Sequence, residues 1–444
     1  MPYRSVRRLI LSAASALLAW TSPSVNAADS VPTMQELAEQ NRRLQEQVRT
    51  QQRTIDELSG KMSELLGATE RHDRELRGLR DRDPGPAPSS ASAARAQEVR
   101  IGAEAGLAFF HTGRQGQFPK SEFRTDDAVV TIEAPVIKNT YFFTELKLLT
   151  RETNTEDFSL GEIYVDFEDV SAAFGRPGLL SVRAGRLNIP FGEEYQRRGP
   201  VANPLISHSL SDIWGVDEGI EAYGRIGPVR YVIAAQNGGE SRLHDFNADK
   251  ALVGRVSWDP AKWLSVSASA MRTGELATVA DNLSEVWFGG GFFRALGPSA
   301  RTTHFEANLF QVDATARWKT GHASVALGRV NFDDSDPLVD NARRMRHGYV
   351  ELVQGIGARL YGAARFSAIR VPGGYPLPGW GSLGTFFFRP SLTEELRRLS
   401  LGVGYRFGPP LVWKIEYAFE SGRMLNGAPR DQEDFFGSEI GVRF

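Results

Sequence analysis

The chain has 444 residues, a formal net charge of -2 and a mean hydropathy of -0.30. That near-neutral balance excludes a protein relying on a broad basic face for nucleic acid. The lack of cysteine excludes a disulfide framework or a thiolate metal site. No stretch of about 20 consecutive apolar residues follows the N-terminus, which excludes a helical membrane protein but not a barrel, whose apolar positions alternate with polar ones.

Arg4, Arg7 and Arg8 precede an apolar run from Leu9 to Trp20, and Val25-Asn26-Ala27 supplies the small-residue pattern cut by a signal peptidase. Residues 1–27 are therefore expected to be an export signal. The apolar run is too short to cross ~30 Å of hydrocarbon as a helix.

From 33 to 80 the spacing predicts a coiled coil. Met34, Leu37, Leu44, Val48, Ile55, Leu58, Met62, Leu65, Leu76 and Leu79 recur at alternating steps of three and four among Gln, Glu, Arg, Asp and Ser. This single narrow seam needs copies of itself to be buried, and its rod would be roughly 70 Å long at 1.5 Å per residue. Asn41, Gln51, Thr69 and His72 fall in the seam, where polar residues set register and oligomer number; His72 is read that way rather than as a metal ligand. Residues 81–97 are a linker rich in Pro, Ser and Ala.

From 98 to 444 the period becomes two. Glu162, Tyr164, Asp166 and Glu168 alternate with Ile163, Val165 and Phe167, and Lys414, Glu416 and Glu420 alternate with Trp413, Ile415, Tyr417 and Phe419. Tight connectors such as Gly175 to Gly178, Gly227-Pro228, Lys319-Thr320-Gly321 and Gly408-Pro409-Pro410 alternate with long polar ones, such as Gly192 to Val216 and Val371 to Glu395. Short turns on one side and long loops on the other characterise an outer-membrane barrel.

The fold expected is thus an all-β membrane protein, a 16-stranded antiparallel transmembrane β-barrel preceded by an α-helical coiled coil. Both ends of the barrel fall on the short-turn side, which puts the coiled coil in the periplasm. Aromatic residues near turns (Trp258, Trp263, Trp318, Tyr405, Phe407, Trp413) suit membrane-interface girdles.

This region holds 31 Arg and 7 Lys against 18 Asp and 24 Glu, a net of -4. The arginine bias suits a lumen lined with fixed charge pairs. Alternation turns Lys147, Arg183, Arg225 and Arg365 toward the lumen beside Glu145, Glu162, Asp166 and Glu221, as guides for anions or as ordinary cross-strand pairs stiffening the wall. Arg183 and Arg186 differ in parity and cannot both point inward without a bulge.

The last strand, with Phe436, Ile440, Val442 and Phe444 at even spacing, resembles the terminal strand that the barrel assembly machinery reads in bacterial outer-membrane proteins. The segment Arg183-Ala184-Gly185-Arg186-Leu187-Asn188-Ile189-Pro190-Phe191-Gly192, with Gly215-Val216-Asp217-Glu218-Gly219 and Gln236-Asn237-Gly238, resembles the phosphate-selective porin O/P family. The resemblance implies a homotrimer of sixteen-stranded channels whose loop from Glu193 to Trp214 folds into the pore. Glu193, Glu194, Arg197, Arg198, His208 and Asp212 would then set the field there; the bland reading leaves them on a mobile exterior loop. Phosphate-specific members line the lumen with basic clusters, whereas this barrel is net acidic.

The function expected is passive diffusion of small hydrophilic solutes or ions, including anions such as phosphate, across an outer membrane. No cofactor, metal or catalytic step is expected, and the partners are outer-membrane lipid, the assembly machinery and further copies of the chain. An enzymatic barrel would need a converging nucleophile and base; the seven His are scattered and no G-x-S-x-G or H-E-x-x-H motif occurs. The other class is a structural anchor whose coiled coil spaces membrane from cell wall.

Overall fold

A computed structural model describes residues 98–149, 159–238, 248–277, 301–336, 338–386 and 392–444. The expected export signal, coiled coil with its seam, and linker lie outside the described residues.

The strands are β1 (Arg100–Thr112), β2 (Glu122–Ile137), β3 (Thr140–Leu149), β4 (Ser159–Phe167), β5 (Ser181–Asn188), β6 (Val216–Ile226), β7 (Val229–Gln236), β8 (Ala251–Ala261) and β9 (Leu264–Ala277). They continue with β10 (His304–Trp318), β11 (Gly321–Asp334), β12 (Arg343–Ile356), β13 (Leu360–Tyr375), β14 (Thr393–Gly408), β15 (Leu411–Met424), the two-residue β16 (Pro429–Arg430) and β17 (Phe435–Arg443). Each spanning strand pairs antiparallel with its neighbours in sequence. β1 closes the ring on β17 through a register running from Glu104 opposite Arg443 to Thr112 opposite Phe435. Leaving β16 aside, this is a closed barrel of sixteen spanning strands, and closure removes every unpaired edge.

Alternation decides which way each side chain faces. On β15, Val412, Lys414, Glu416, Ala418 and Glu420 are buried inside while Trp413, Tyr417 and Phe419 are exposed outside. The same exposure recurs around the ring at Ile233, Leu252, Val256, Leu327, Val350 and Phe366. Each large apolar side chain left in water forgoes about 1.5–3 kcal/mol, so a continuous belt of them requires lipid as its solvent.

The short side is built of two-residue turns such as 227–228, 319–320 and 409–410. The Gly175 to Gly178 connector is longer than the sequence suggested. It lies in the 168–180 connection, which holds one turn of 3-10 helix, Val170–Phe174, fixed by Asp169 accepting the Gly178 N–H (2.6 Å) and Ser171 Oγ accepting the Leu180 N–H (3.0 Å). Arg186 faces the outside and pairs with Glu218 across β5–β6 at 2.6 Å, while Arg183 faces the lumen; no register shift interrupts β4–β5.

Candidate functional site

The connection between β5 and β6, residues 189–215, does not project outward. Its apolar residues drive it inside: Ile189, Phe191, Leu210 and Ile213 pack with inward-facing Val253, Met271, Leu309 and Phe332. Leu205 joins Tyr361 and Val412, and Ile206 joins Phe110 and Phe435. A loop with this many apolar anchors gains more from the barrel interior than from water. Gly192, at φ 69°, makes the first reversal with its N–H donating to Ser269 Oγ at 3.0 Å.

The loop then crosses the lumen to the wall eight strands away, where buried charges hold its backbone. Glu416 on β15 accepts the N–H groups of Ile206 (2.6 Å) and Ser207 (2.7 Å). Arg365 on β13 donates to Ser207 O (2.7 Å) and Asn203 Oδ1 (3.1 Å) while pairing with Glu351 on β12. Lys414 donates to Leu205 O (2.9 Å) and pairs with Glu439 (2.6 Å), and Arg398 donates to His208 O (3.1 Å) and pairs with Glu420 (2.6 Å). A backbone placed inside a barrel must find partners for its N–H and C=O groups, and here the wall supplies them.

The opposite half is where water reaches. Glu351, Arg365, Lys414 and Glu439 are at most 4% exposed, whereas Arg183, Glu193, Arg197, Arg230, Asp259 and His322 are 26–33% exposed. The partly solvated wall residues Arg183, Arg230, Asp259 and His322 lie toward the short-turn ends of β5–β11, away from Val253, Met271, Leu309 and Phe332, on which the loop packs. Arg183 bridges Asp166 (3.1 Å) and Glu221 (3.2 Å), Arg230 pairs with Asp259 (3.2 Å), and Arg255 holds Glu193 at 3.6 Å. Arg197 and His322 both approach Glu351, at 3.5 and 3.4 Å.

Arg317 faces the lumen opposite His322 and is exposed, with Arg197 and Arg230 near enough to repel it. It makes no ion pair among the described residues. This side thus carries Arg183, Arg197, Arg230, Arg255 and Arg317 against Asp166, Glu193, Glu221, Asp259 and Glu351, and of these arginines Arg317 is the exposed one without an ion pair among the described residues.

Of the residues picked out in the sequence, Glu193 and Arg197 lie on the solvated side of the loop. Glu194 is buried, accepting the Ser209 N–H at 2.8 Å. Arg198, His208 and Asp212 meet one another within the loop: Arg198 pairs with Asp212, His208 Nδ1 lies 3.4 Å from Asp212, and Arg198 covers the Trp214 ring at 4.3 Å. Lys147 covers the same ring from β3 at 5.1 Å. Arg365 is a buried anchor rather than a solvated residue, and Arg225 sits exposed at the short-turn rim, donating to Gly227 O at 2.7 Å. Phe444 closes the ring through reciprocal backbone bonds with Ala103, with Ile440, Val442 and Phe444 exposed outside.

Sequence reading did not single out Arg317, Arg230, Arg255 and His322, nor the anchors Glu351 and Arg398, and it put Lys414 and Glu416 on the polar face of their strand without a role. The alternation rule puts each inside; what it lacked was the strand on which the loop lands.

No family model matches the sequence, and no curated protein matches it. Among solved structures the barrel is similar to the outer membrane channel DcaP of Acinetobacter baumannii, with 12% identity over 81% of this chain and 100% of that one at a TM-score of 0.53. It is also similar to OmpT, an outer membrane protein of Vibrio cholerae, with 10% identity over 80% of this chain and 100% of that one at a TM-score of 0.52. A trimer form of OmpT matches at 10% identity over 78% of this chain and 99% of that one, with a TM-score of 0.50. The chain has the fold of these outer-membrane proteins, a closed antiparallel barrel of sixteen spanning strands.

Proposed function

We propose that the chain is an outer-membrane porin, a passive channel for small hydrophilic solutes and ions that favours small anions such as phosphate. The observation that carries this reading is the group of partly solvated, paired charges at the short-turn end of the lumen beside the anchored loop, among which Arg317 is exposed and makes no ion pair among the described residues. A passage bounded by low-dielectric walls concentrates the field of its fixed charges on whatever crosses it. The exposed charge of Arg317 supports anion preference even though the barrel as a whole is net acidic.

In this reading the protein acts without cofactor or catalysis, assembles as a homotrimer through the barrel assembly machinery, and keeps its N-terminal coiled coil in the periplasm. DcaP is an outer membrane channel and OmpT has a trimer form, and these lend support to the channel and the assembly by analogy of fold.

The test is to record purified protein in planar bilayers under a KCl gradient and then add phosphate. Stepwise openings in threes, a reversal potential on the anion side and reduced current with phosphate are expected. Openings with cation preference would remove the anion claim, and the absence of any conductance would favour the structural anchor.

A further inference from the structure

The outer surface of the barrel carries a feature that a channel does not require. At the long-loop ends of β11 to β15, one row of directly opposed residues runs across five strands: Arg329 opposite Arg346, Arg346 opposite Arg370, Arg370 opposite Glu395, and Glu395 opposite Arg423. The four arginines are exposed, and their parity turns them outward, away from the lumen. Three arginines in unbroken cross-strand opposition repel one another, because directly opposed side chains lie only about 5 Å apart at Cβ.

None of Arg329, Arg346 and Arg370 makes an ion pair among the described residues. Arg346 and Arg370 make no ion pair or hydrogen bond among them, and neither does Arg344, two residues before Arg346. Arg329 rests over the Phe310 ring at 5.9 Å. Glu395 is turned toward the far side of the row, accepting from Arg397 Nε (2.6 Å) and lying 3.9 Å from Arg423.

The row also stands at a particular height. Below it on β11 to β13 the outward positions become small or apolar, with Leu327, Val350 and Phe366 exposed, while on β14 Arg397 precedes Leu399. From Leu360 at the short-turn end of β13 to Arg370 is about ten residues, which at ~3.3 Å per residue and a tilt near 40° spans roughly 25 Å, the height of the apolar band of such barrels. The arginines therefore sit at the lipid headgroup level of the long-loop leaflet.

Beneath them Gly348 and Ala368 leave a groove of about 300 Å³ on the outer face, with Leu327, Val350 and Phe366 around it and Arg346, Arg370 and Glu395 at its head. A cationic head above an apolar trough is complementary to one chemistry, an anionic headgroup bearing acyl chains. Arginine suits phosphate in particular, through paired, charge-assisted N–H donors.

We propose that the outer face of β11–β15 binds a phosphorylated lipid of the long-loop leaflet, its phosphate held by Arg329, Arg346 and Arg370 and part of one acyl chain lying in the groove over Gly348 and Ala368. The site rests on the membrane reading of the barrel but not on conduction, since none of its residues lines the lumen.

The test is native mass spectrometry of the full chain in detergent, titrated with lipid A bearing both phosphates and with the same lipid after dephosphorylation. Wild type is expected to retain the bisphosphorylated lipid about tenfold better than the dephosphorylated one, and Arg346→Gln/Arg370→Gln to lose about tenfold in retention. Channel conductance of the double variant should be unchanged, so loss of lipid binding and loss of conduction are separate failures.

Heat-modifiable mobility on gels checks that the variant has folded. If it has not, the single Arg370→Gln variant is used, with a smaller drop of about threefold expected. Equal retention by wild type and variant, or equal retention of both lipids, overturns the proposal. Displacement by millimolar inorganic phosphate with no dependence on acyl chains would make this a free-phosphate site and overturn the lipid assignment.

Discussion

Glu351 on β12 and Arg365 on β13 face each other in register, and the Arg365 guanidinium that pairs with Glu351 also donates to the carbonyl of Ser207 in the lumen-crossing loop. The wall and the loop thus share one buried cation. Replacing Arg365 with Met leaves Glu351 buried against only Arg197 and His322, at a cost of about 3–5 kcal/mol. Changing both residues to Met should recover part of that loss, because an uncompensated buried charge is worse than none. Urea unfolding of the barrel in detergent measures this; a double variant less stable than the single one would contradict the role given to the pair.

Arg317, near the 319–320 turn, and Arg198, within the loop, separate two uses of a lumen arginine. Arg317 is exposed and without an ion pair among the described residues, whereas Arg198 is tied to Asp212 and stacked on Trp214. Arg317→Ala should shift the reversal potential under a salt gradient toward cations, and Arg197→Ala should do the same. Arg198→Ala should act mainly on stability, by about 1–3 kcal/mol, since it removes the ion pair with buried Asp212. If Arg198→Ala moved selectivity more than Arg317→Ala, the solvated charges have been put on the wrong side of the loop.

Gly185 occupies φ 142° on β5, and a Cβ there would lie 2.3 Å from the Ile163 carbonyl of β4. A side chain cannot enter without separating the two strands. Gly185→Ala is expected to reduce the yield of folded, heat-modifiable barrel severalfold, and a normal yield would show that β4–β5 pairing tolerates a shift.

In the last long connection, burial raises the Glu433 carboxyl to about 7 despite the attraction of Arg430, which donates to Glu433 Oε1 at 3.0 Å and to Pro378 O at 2.8 Å. A carboxyl whose folded value lies above its ordinary value contributes most stability where it is protonated. That contribution declines as pH rises from about 4.5 to about 7, by at most about 3 kcal/mol. Thermal unfolding in detergent should therefore come at a higher temperature at pH 5.5 than at pH 8, and Glu433→Gln should flatten the difference. A wild-type barrel that unfolds at the same temperature at both pH values would speak against this assignment.

The barrel was legible in the sequence because its rule is local: Asp166 and Glu221 face inward, and Ile220 and Phe167 outward, for the same period-two reason. The outward Arg186–Glu218 pair breaks the polar-in pattern, and only the register shows that the two charges meet. The loop from Glu193 to Trp214 was expected inside through family resemblance, but its landing place was not legible. Ser207 and Glu416 are 209 residues apart in sequence, and no periodicity links them. The setting of Arg317 was hidden for the same reason, since it depends on where Glu193 and Arg197 of the loop come to lie.

The most direct test of the loop-bounded passage is the single-channel conductance of wild type against Glu351→Gln/Glu416→Gln, in which both main anchors of the loop lose their charge. Small, quiet steps are expected for wild type, and larger, noisier ones for the variant as the loop leaves the wall. Identical conductance in a correctly folded variant would mean that the loop from 189 to 215 does not bound the passage.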